Sequence, residues 1–217
     1  MSDVAGRWAE VDDRVAAAAQ RSGRARADVR IVAATKTVGV GPIRDLLDAG
    51  CADLGENRAQ ELLAKAPELV DGPTFAWHFI GPVQRNKVNA LAPWVTWWHT
   101  VDRPALVAAL GSRLPGATIL LEVNLAGEPQ KAGCEPSSVG RLTDSARAAG
   151  LDVVGLMAIP PHPGDPRRWF AALADLAASE GLRELSMGMS EDYEIAVEEG
   201  ATIVRLGRVL FGQRSER

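Results

Sequence analysis

Three stretches of the chain carry residues that could do chemistry. Lys36 ends the run VRIVAATK (29–36), Arg205 interrupts the apolar run IVRLGR (203–208), and SMGMS (186–190) stands directly before the acidic stretch EDYEIAVEEG. A lysine at a strand end either marks an exit into solvent or points into a cavity. In an apolar cavity its pKa falls and it can condense with an aldehyde. A serine before a Glu-rich helix is an N-cap signal. The same geometry, unpaired N–H groups beside a hydroxyl, makes an anion site. A second small-residue turn, LGR (206–208), follows Arg205.

The histidines are less informative. His78 and His99 lie among tryptophans, and single histidines in apolar surroundings are usually satisfied core residues. No Cys or carboxylate stands at ligand spacing, so no metal site is expected. His162, in the proline-rich IPPHPGDP, carries no assignable role.

These residues need elements to position them. Val4, Trp8, Val11, Val15 and Ala18 recur at helical spacing and predict a first helix over 4–21. Strand-like apolar runs then begin near 30, 52, 75, 96, 118, 152, 183 and 202, each followed by a helix-like stretch. Strict alternation with near-continuous apolar strands predicts a parallel sheet covered by helices. Eight such units in 217 residues fit a single (β/α)8 barrel over 1–217 with an extra N-terminal helix. A doubly wound sheet is the rival, but TKTVGVG after the first strand matches GxGxxG poorly.

In a barrel, the C-terminal strand ends form the active face. Read in order they supply Lys36; Glu56 and Asn57; His78 and Gly81; His99 and Asp102; Glu122 and Asn124; Met157; Ser186, Met187 and Ser190; then Arg205 and Gly207. The loops after strands seven and eight are the usual phosphate cradle of such barrels.

Composition removes several alternatives. Net charge is −4 and no basic stripe interleaves with aromatics, which argues against nucleic acid. No apolar run reaches eighteen residues, and the N-terminus has no signal-like core. Cys51 and Cys134 form neither a CxxC motif nor a disulfide framework. The expectation is a soluble, cytoplasmic protein.

Taken together, GENRAQEL (55–62), WHFIGPVQRNKV (77–88), HTVDR (99–103), EVNLAGEPQKAGC (122–134), GLMAIPP (155–161) and LSMGMSEDYEIAVEEGATIVRLGRVLFG (185–212) resemble the pyridoxal phosphate homeostasis proteins, which are similar to the N-terminal domain of alanine racemase. The resemblance runs in order from about residue 30 to 212. It implies a barrel of the alanine racemase type that binds pyridoxal 5′-phosphate (PLP), with Lys36 forming the internal aldimine. It makes Ser190 the phosphate-binding serine, helped by the backbone at Gly207 and Arg208. It places Arg205 at the pyridine nitrogen, Asn57 near the ring face and Met187 in the same region. His78 and Gln84 fall in a shared motif without an assigned role. The family commonly has threonine where this chain has Arg208, whose side chain either pairs with phosphate or turns to solvent.

An arginine at the ring nitrogen has a chemical consequence. Arginine does not release its proton and can only donate a hydrogen bond to an unprotonated nitrogen. The ring is then a poorer electron sink than one held protonated by a carboxylate. Racemases with this arrangement add a tyrosine base from a further domain. That domain is not expected here, and the single tyrosine, Tyr193, is not an obvious counterpart. The resemblance therefore implies a non-enzymatic PLP carrier in vitamin B6 and amino-acid balance, expected to be a monomer and to serve apo PLP-dependent enzymes. The alternative is a PLP-dependent amino-acid racemase.

Overall fold

Parity along eight short strands organises the molecule. The structure is a computed structural model that describes residues 4–161 and 164–212; His162 lies outside the described residues. Strands β1 (Arg30–Ala34), β2 (Asp53–Glu56), β3 (Ala76–Phe79), β4 (Val95–Val101), β5 (Thr118–Glu122), β6 (Asp152–Met157), β7 (Glu184–Ser186) and β8 (Ile203–Leu206) pair in sequence order, all parallel, and β8 returns to β1. Helix α1 (Val4–Arg21) precedes β1. Then α2 (Val40–Asp48), α3 (Ala59–Lys65), α4 (Val88–Leu91), α5 (Pro104–Gly111), α6 (Val139–Ala148), α7 (Arg167–Ser179), α8 (Tyr193–Glu198) and α9 (Arg208–Phe211) each follow one strand. This is the closed (β/α)8 barrel with an extra N-terminal helix that the alternation predicts.

Two segments differ from expectation. Residues 82–94, the helix-like stretch after the third strand, hold only a 3-10 turn (Arg85–Lys87) and the single turn of α4. Pro82 and Pro93 bracket a segment too short and too polar to bury a long helical face. The strand-like apolar run that begins near 118 stops at Glu122, and beyond it Val123 makes an isolated bridge to Cys134. There the chain must leave the barrel to start the loop to α6.

Successive strand residues face opposite ways. In β8, Val204 and Leu206 join the apolar layer between barrel and helices, whereas Ile203 packs inside with Val32, Ile80, Leu120 and Met157. Arg205 has the parity of Ile203 and therefore points inward. The same rule turns His78, His99 and Ser186 inward and sends Glu56 outward. Each fully buried aliphatic side chain in these two layers contributes about 1.5–3 kcal/mol relative to exposure.

Helix α1 seals the β8 side. Val4, Val11, Val15, Ala18 and Ala19 are buried. Arg14 and Arg21 pair with Glu194 and Glu198 of α8, and Arg7 Nε donates to the Leu210 carbonyl of α9 (2.7 Å). Both cysteines are buried and free, and burial raises their thiols to about 12 (Cys51) and about 11 (Cys134). Among the described residues no helix is long and apolar enough to cross a membrane, and no group of three or more His, Cys, Asp or Glu is placed to hold a metal ion.

Candidate functional site

The turn that carries Lys36 is held more firmly than its sequence suggests. Lys65, at the end of α3, buries its ammonium beneath the turn. Its Nζ donates to Glu56 Oε2 (2.7 Å), Glu61 Oε2 (3.0 Å) and the Thr35 carbonyl (2.8 Å). Thr35 Oγ1 donates to Glu56 Oε2 (2.9 Å), and the Thr37 N–H donates to Glu61 Oε2 (2.7 Å). Thr37 sits at φ 64°, in the left-handed region that costs a non-glycine residue about 1–2 kcal/mol. The carboxylate on its N–H helps hold it there. Residues 35 and 37 are thus tied to one buried ion cluster, while Lys36 between them is half-buried and its ammonium has no hydrogen bond or ion pair among the described residues.

Lys36 and Asn57 stand between two clefts. One, of about 420 Å³, runs between the ends of β1 and β8 and is also lined by Thr37, Gly207 and Arg208. The other, of about 450 Å³, extends toward Arg58, Gln84 and Lys87. Both volumes fall within the range of small-molecule sites, about 300–1,000 Å³. Gly81 explains how Asn57 is placed: a Cβ at residue 81 would lie 2.1 Å from the Asn57 carbonyl oxygen. Only glycine lets the chain leaving β3 pass so close to it.

Arg205 lies deeper, outside the lining of either cleft, and only 5% of it is exposed. Its Nη1 donates to Ser186 Oγ (2.8 Å) and its Nη2 to the Ala158 carbonyl (3.2 Å). These leave Nε–H and further Nη protons without an acceptor among the described residues. Burial lowers its pKa to about 10, with Glu122 and Asp192 acting in the opposite direction, so the guanidinium is charged at neutral pH.

The SMGMS turn follows β7. Gly188 has φ 89°, and a Cβ there would lie 2.5 Å from Ala196 Cβ of α8; its carbonyl accepts from the Arg205 N–H (3.0 Å). The residue before α8 is Asp192 rather than Ser190, and Asp192 Oδ1 accepts from the Met189 N–H (2.6 Å). That bond closes the turn rather than capping α8, and Ser190 lies half-buried within it. Met187, expected near the site, is fully buried in the outer apolar layer because it alternates with the inward Ser186. Arg208 is exposed and its Nη2 donates to Glu191 Oε1 (2.6 Å), an ion pair joining the turns after β7 and β8. Tyr193 is buried under α1, with Arg14 over its ring at 5.4 Å, and lines neither cleft.

Glu122 ends β5 facing inward. Burial, then the charge of Asp102, raises its carboxyl to about 7, against the opposing pull of Arg205 and Arg103. Its folded pKa lies above the ordinary glutamate value of 4.5, so the folded state binds the extra proton between those pH values. Stability is therefore lost as pH rises from about 4.5 through about 7. Across pH 5 to 8, wild type should lose about 2–3 kcal/mol relative to Glu122→Gln. Urea titrations of both proteins at the two pH values measure the difference; parallel losses would remove Glu122 as the cause.

Of the seven residues that the resemblance assigns to the cofactor, Lys36, Asn57, Gly207 and Arg208 line one cleft, whereas Met187, Ser190 and Arg205 do not. Sequence reasoning missed Thr37, Glu61 and Lys65. The available signal was Glu61–Lys65 at i,i+4 on the helix after β2, a spacing more common on solvated faces.

The architecture has direct counterparts. The family model described as alanine racemase, N-terminal domain, matches residues 9–215, and the chain belongs to that family. Its relatives narrow this further. The chain is 41% identical to a protein of Pseudomonas aeruginosa over 99% of this chain and 97% of that one, and 40% identical to one of Aquifex aeolicus over 96% and 97%; both are named pyridoxal phosphate homeostasis protein. PipY of Synechococcus elongatus, solved with PLP bound, superposes with a TM-score of 0.82 at 31% identity, covering 96% of this chain and all of that one. Within the racemase-domain family, the chain is thus one of the pyridoxal phosphate homeostasis proteins.

Proposed function

We propose that this chain is a PLP-binding protein of vitamin B6 and amino-acid balance, a single cytoplasmic, monomeric domain that holds the cofactor with little or no turnover and releases it to apo PLP-dependent enzymes. The observation that carries the reading is Lys36: an amine without a partner among the described residues, on a turn pinned from both sides, at the rim of a cleft of about 420 Å³. PLP supplies an aldehyde able to link to such an amine, a phosphate, and a pyridine ring that can act as an electron sink.

The residues present fit that group. Lys36 provides the amine, and Asn57 stands beside it to contact the ring. Ser190 and the backbone of the turn at Gly207 and Arg208 receive the phosphate, with the Arg208 side chain held against Glu191 rather than free. Met187 supports this turn from the apolar layer behind it. Arg205 offers its remaining N–H groups to the ring nitrogen. A guanidinium that keeps its proton at neutral pH donates a hydrogen bond without protonating the ring, which keeps the sink weak.

A racemase needs a second base on the opposite face of the substrate, and Tyr193 is packed beneath α1 instead. The names of the relatives, homeostasis proteins rather than racemases, support the same reading. The test is transfer: PLP-loaded protein mixed with an apo transaminase should restore transaminase activity. The loaded protein alone should leave single-enantiomer amino acids unracemised. Racemisation at ordinary enzymatic rates, about 1–10³ s⁻¹, would overturn the carrier reading.

A further inference from the structure

A line of polar side chains crosses the barrel interior beneath the clefts. Arg205 Nη1 donates to Ser186 Oγ (2.8 Å), which lies 2.9 Å from His99 Nδ1. His99 Nε2 lies 2.8 Å from His78 Nδ1, and His78 Nε2 lies 2.9 Å from Asp53 Oδ1. Arg30, the first residue of β1, donates Nη1 to the same Asp53 oxygen (2.9 Å) and covers Trp97, which stacks on His78. Ser186, His78 and His99 have no exposed surface, and Asp53 is 8% exposed. The line runs from the N-terminal end of β2 through β3, β4 and β7 to Arg205 near the C-terminal end of β8.

Its direction follows from the chemistry of its ends. Arginine only donates, and an ionised carboxylate only accepts. Burial works to raise the Asp53 pKa, but hydrogen bonds from His78 and Arg30, together with the Arg30 charge, keep it low. Burial lowers both histidines, His99 the more, so both rings are neutral. With one N–H per ring and an ionised Asp53, one arrangement puts a proton in every gap. Ser186 donates to His99 Nδ1, His99 Nε2–H donates to His78 Nδ1, and His78 Nε2–H donates to Asp53. Reversing it would set a bare His78 nitrogen against the carboxylate. The Ser186 hydroxyl proton is thereby turned away from Arg205, and its lone pairs face the guanidinium.

We propose that Asp53, His78, His99 and Ser186 are positioning residues, a directed hydrogen-bond chain that fixes the Arg205 guanidinium and so decides which of its N–H groups meet the ring nitrogen of bound PLP. This rests on the reading of Arg205 as the ring's partner. Packing alone does not call for these residues, since the same interior is filled elsewhere by Val32, Ile80, Leu120, Met157 and Ile203. Polar groups buried at this depth carry a desolvation cost that an apolar filling would avoid.

The experiment compares PLP affinity, by fluorescence or dialysis, and the visible spectrum of the bound cofactor in wild type, Arg205→Met, Ser186→Ala, His99→Phe and His99→Gln. Losing a hydrogen bond to a charged group weakens binding by about 10- to 100-fold. Ser186→Ala and His99→Phe should each weaken PLP binding at least about tenfold and alter its spectrum. His99→Gln should stay close to wild type, because an amide can accept from Ser186 and donate to His78. Added to Arg205→Met, Ser186→Ala should cause no further loss, the signature of one coupled unit. If Arg205→Met weakens binding while Ser186→Ala does not, the positioning proposal fails and the reading of Arg205 stands. If Arg205→Met changes neither affinity nor spectrum, the ring-partner reading fails and the proposal with it. Ser186→Ala removes only one oxygen, so the test survives should His99→Phe fail to fold.

Discussion

Lys36→Ala protein will take up no covalently held PLP. Mixed with excess cofactor and then borohydride, wild type should gain one pyridoxyl group by intact mass, and the variant none. The visible band of the lysine-linked cofactor should vanish with it. The effect is total because a methyl side chain has no amine, and Lys65, the other lysine beside this turn, is engaged by two carboxylates and a carbonyl. Noncovalent binding through the phosphate and ring contacts should persist, weaker by about tenfold or more. A stoichiometric pyridoxyl label on the variant would show that another lysine carries the cofactor. Lys87, on the wall of the second cleft, would be the first to examine.

Lys65→Met should have the largest effect on folding of any single change near the site. The side chain of Glu56 is fully buried and that of Lys65 only 10% exposed. Removing the ammonium leaves a carboxylate without its counter-ion in the layer between β2 and α3. Breaking such a pair from one side costs about 3–5 kcal/mol. For a chain of this size that lowers the melting temperature by roughly 6–20 °C. The turn should loosen too, because Glu61 loses the cation that holds it against the Thr37 N–H. PLP binding should therefore weaken even at temperatures where the variant remains folded. Glu56→Leu combined with Lys65→Met removes both charges and should recover at least half of the lost stability. It should not restore full cofactor affinity, since the Thr35 carbonyl and Glu61 still lack their donor. Calorimetry together with PLP titration separates the two effects. A melting temperature unchanged within about 2 °C would mean that the cluster is solvated and contributes little.

Much of this was readable along the chain. Apolar runs of strand length, each followed by a helical period, specify eight β/α units because parallel strands are covered on both faces and need long crossovers. The strand starts expected near 30, 118 and 152 are those observed, and the others lie within one residue. Parity within IVRLGR is enough to turn Arg205 inward once Val204 and Leu206 are recognised as the outer apolar pair. Lys36 was visible for the same reason, as a charge at the end of a strand otherwise made for burial.

Other features depend on distances between elements, which no local pattern encodes. His78 and His99 read singly as core histidines; barrel closure sets β3 beside β4 and brings their rings within hydrogen-bond distance. Ser186 and Asp53 join them from β7 and β2, residues 133 positions apart in the chain. The sequence leaves Arg208 between a phosphate and solvent, and the turn after β7 brings Glu191 to it. Met187 looked like a lining residue, but one step of alternation places it behind the wall.

The sequence by itself determined the number of strands and singled out Lys36 and Arg205, the two residues on which the proposed chemistry turns. Periodicity and strand-end position are local properties, and they suffice for that. Only the tertiary structure decided which inward groups meet and which charges are already spoken for. Closing the barrel fixes the height of each strand against its neighbours, and hydrogen bonds form or fail over differences of less than an ångström.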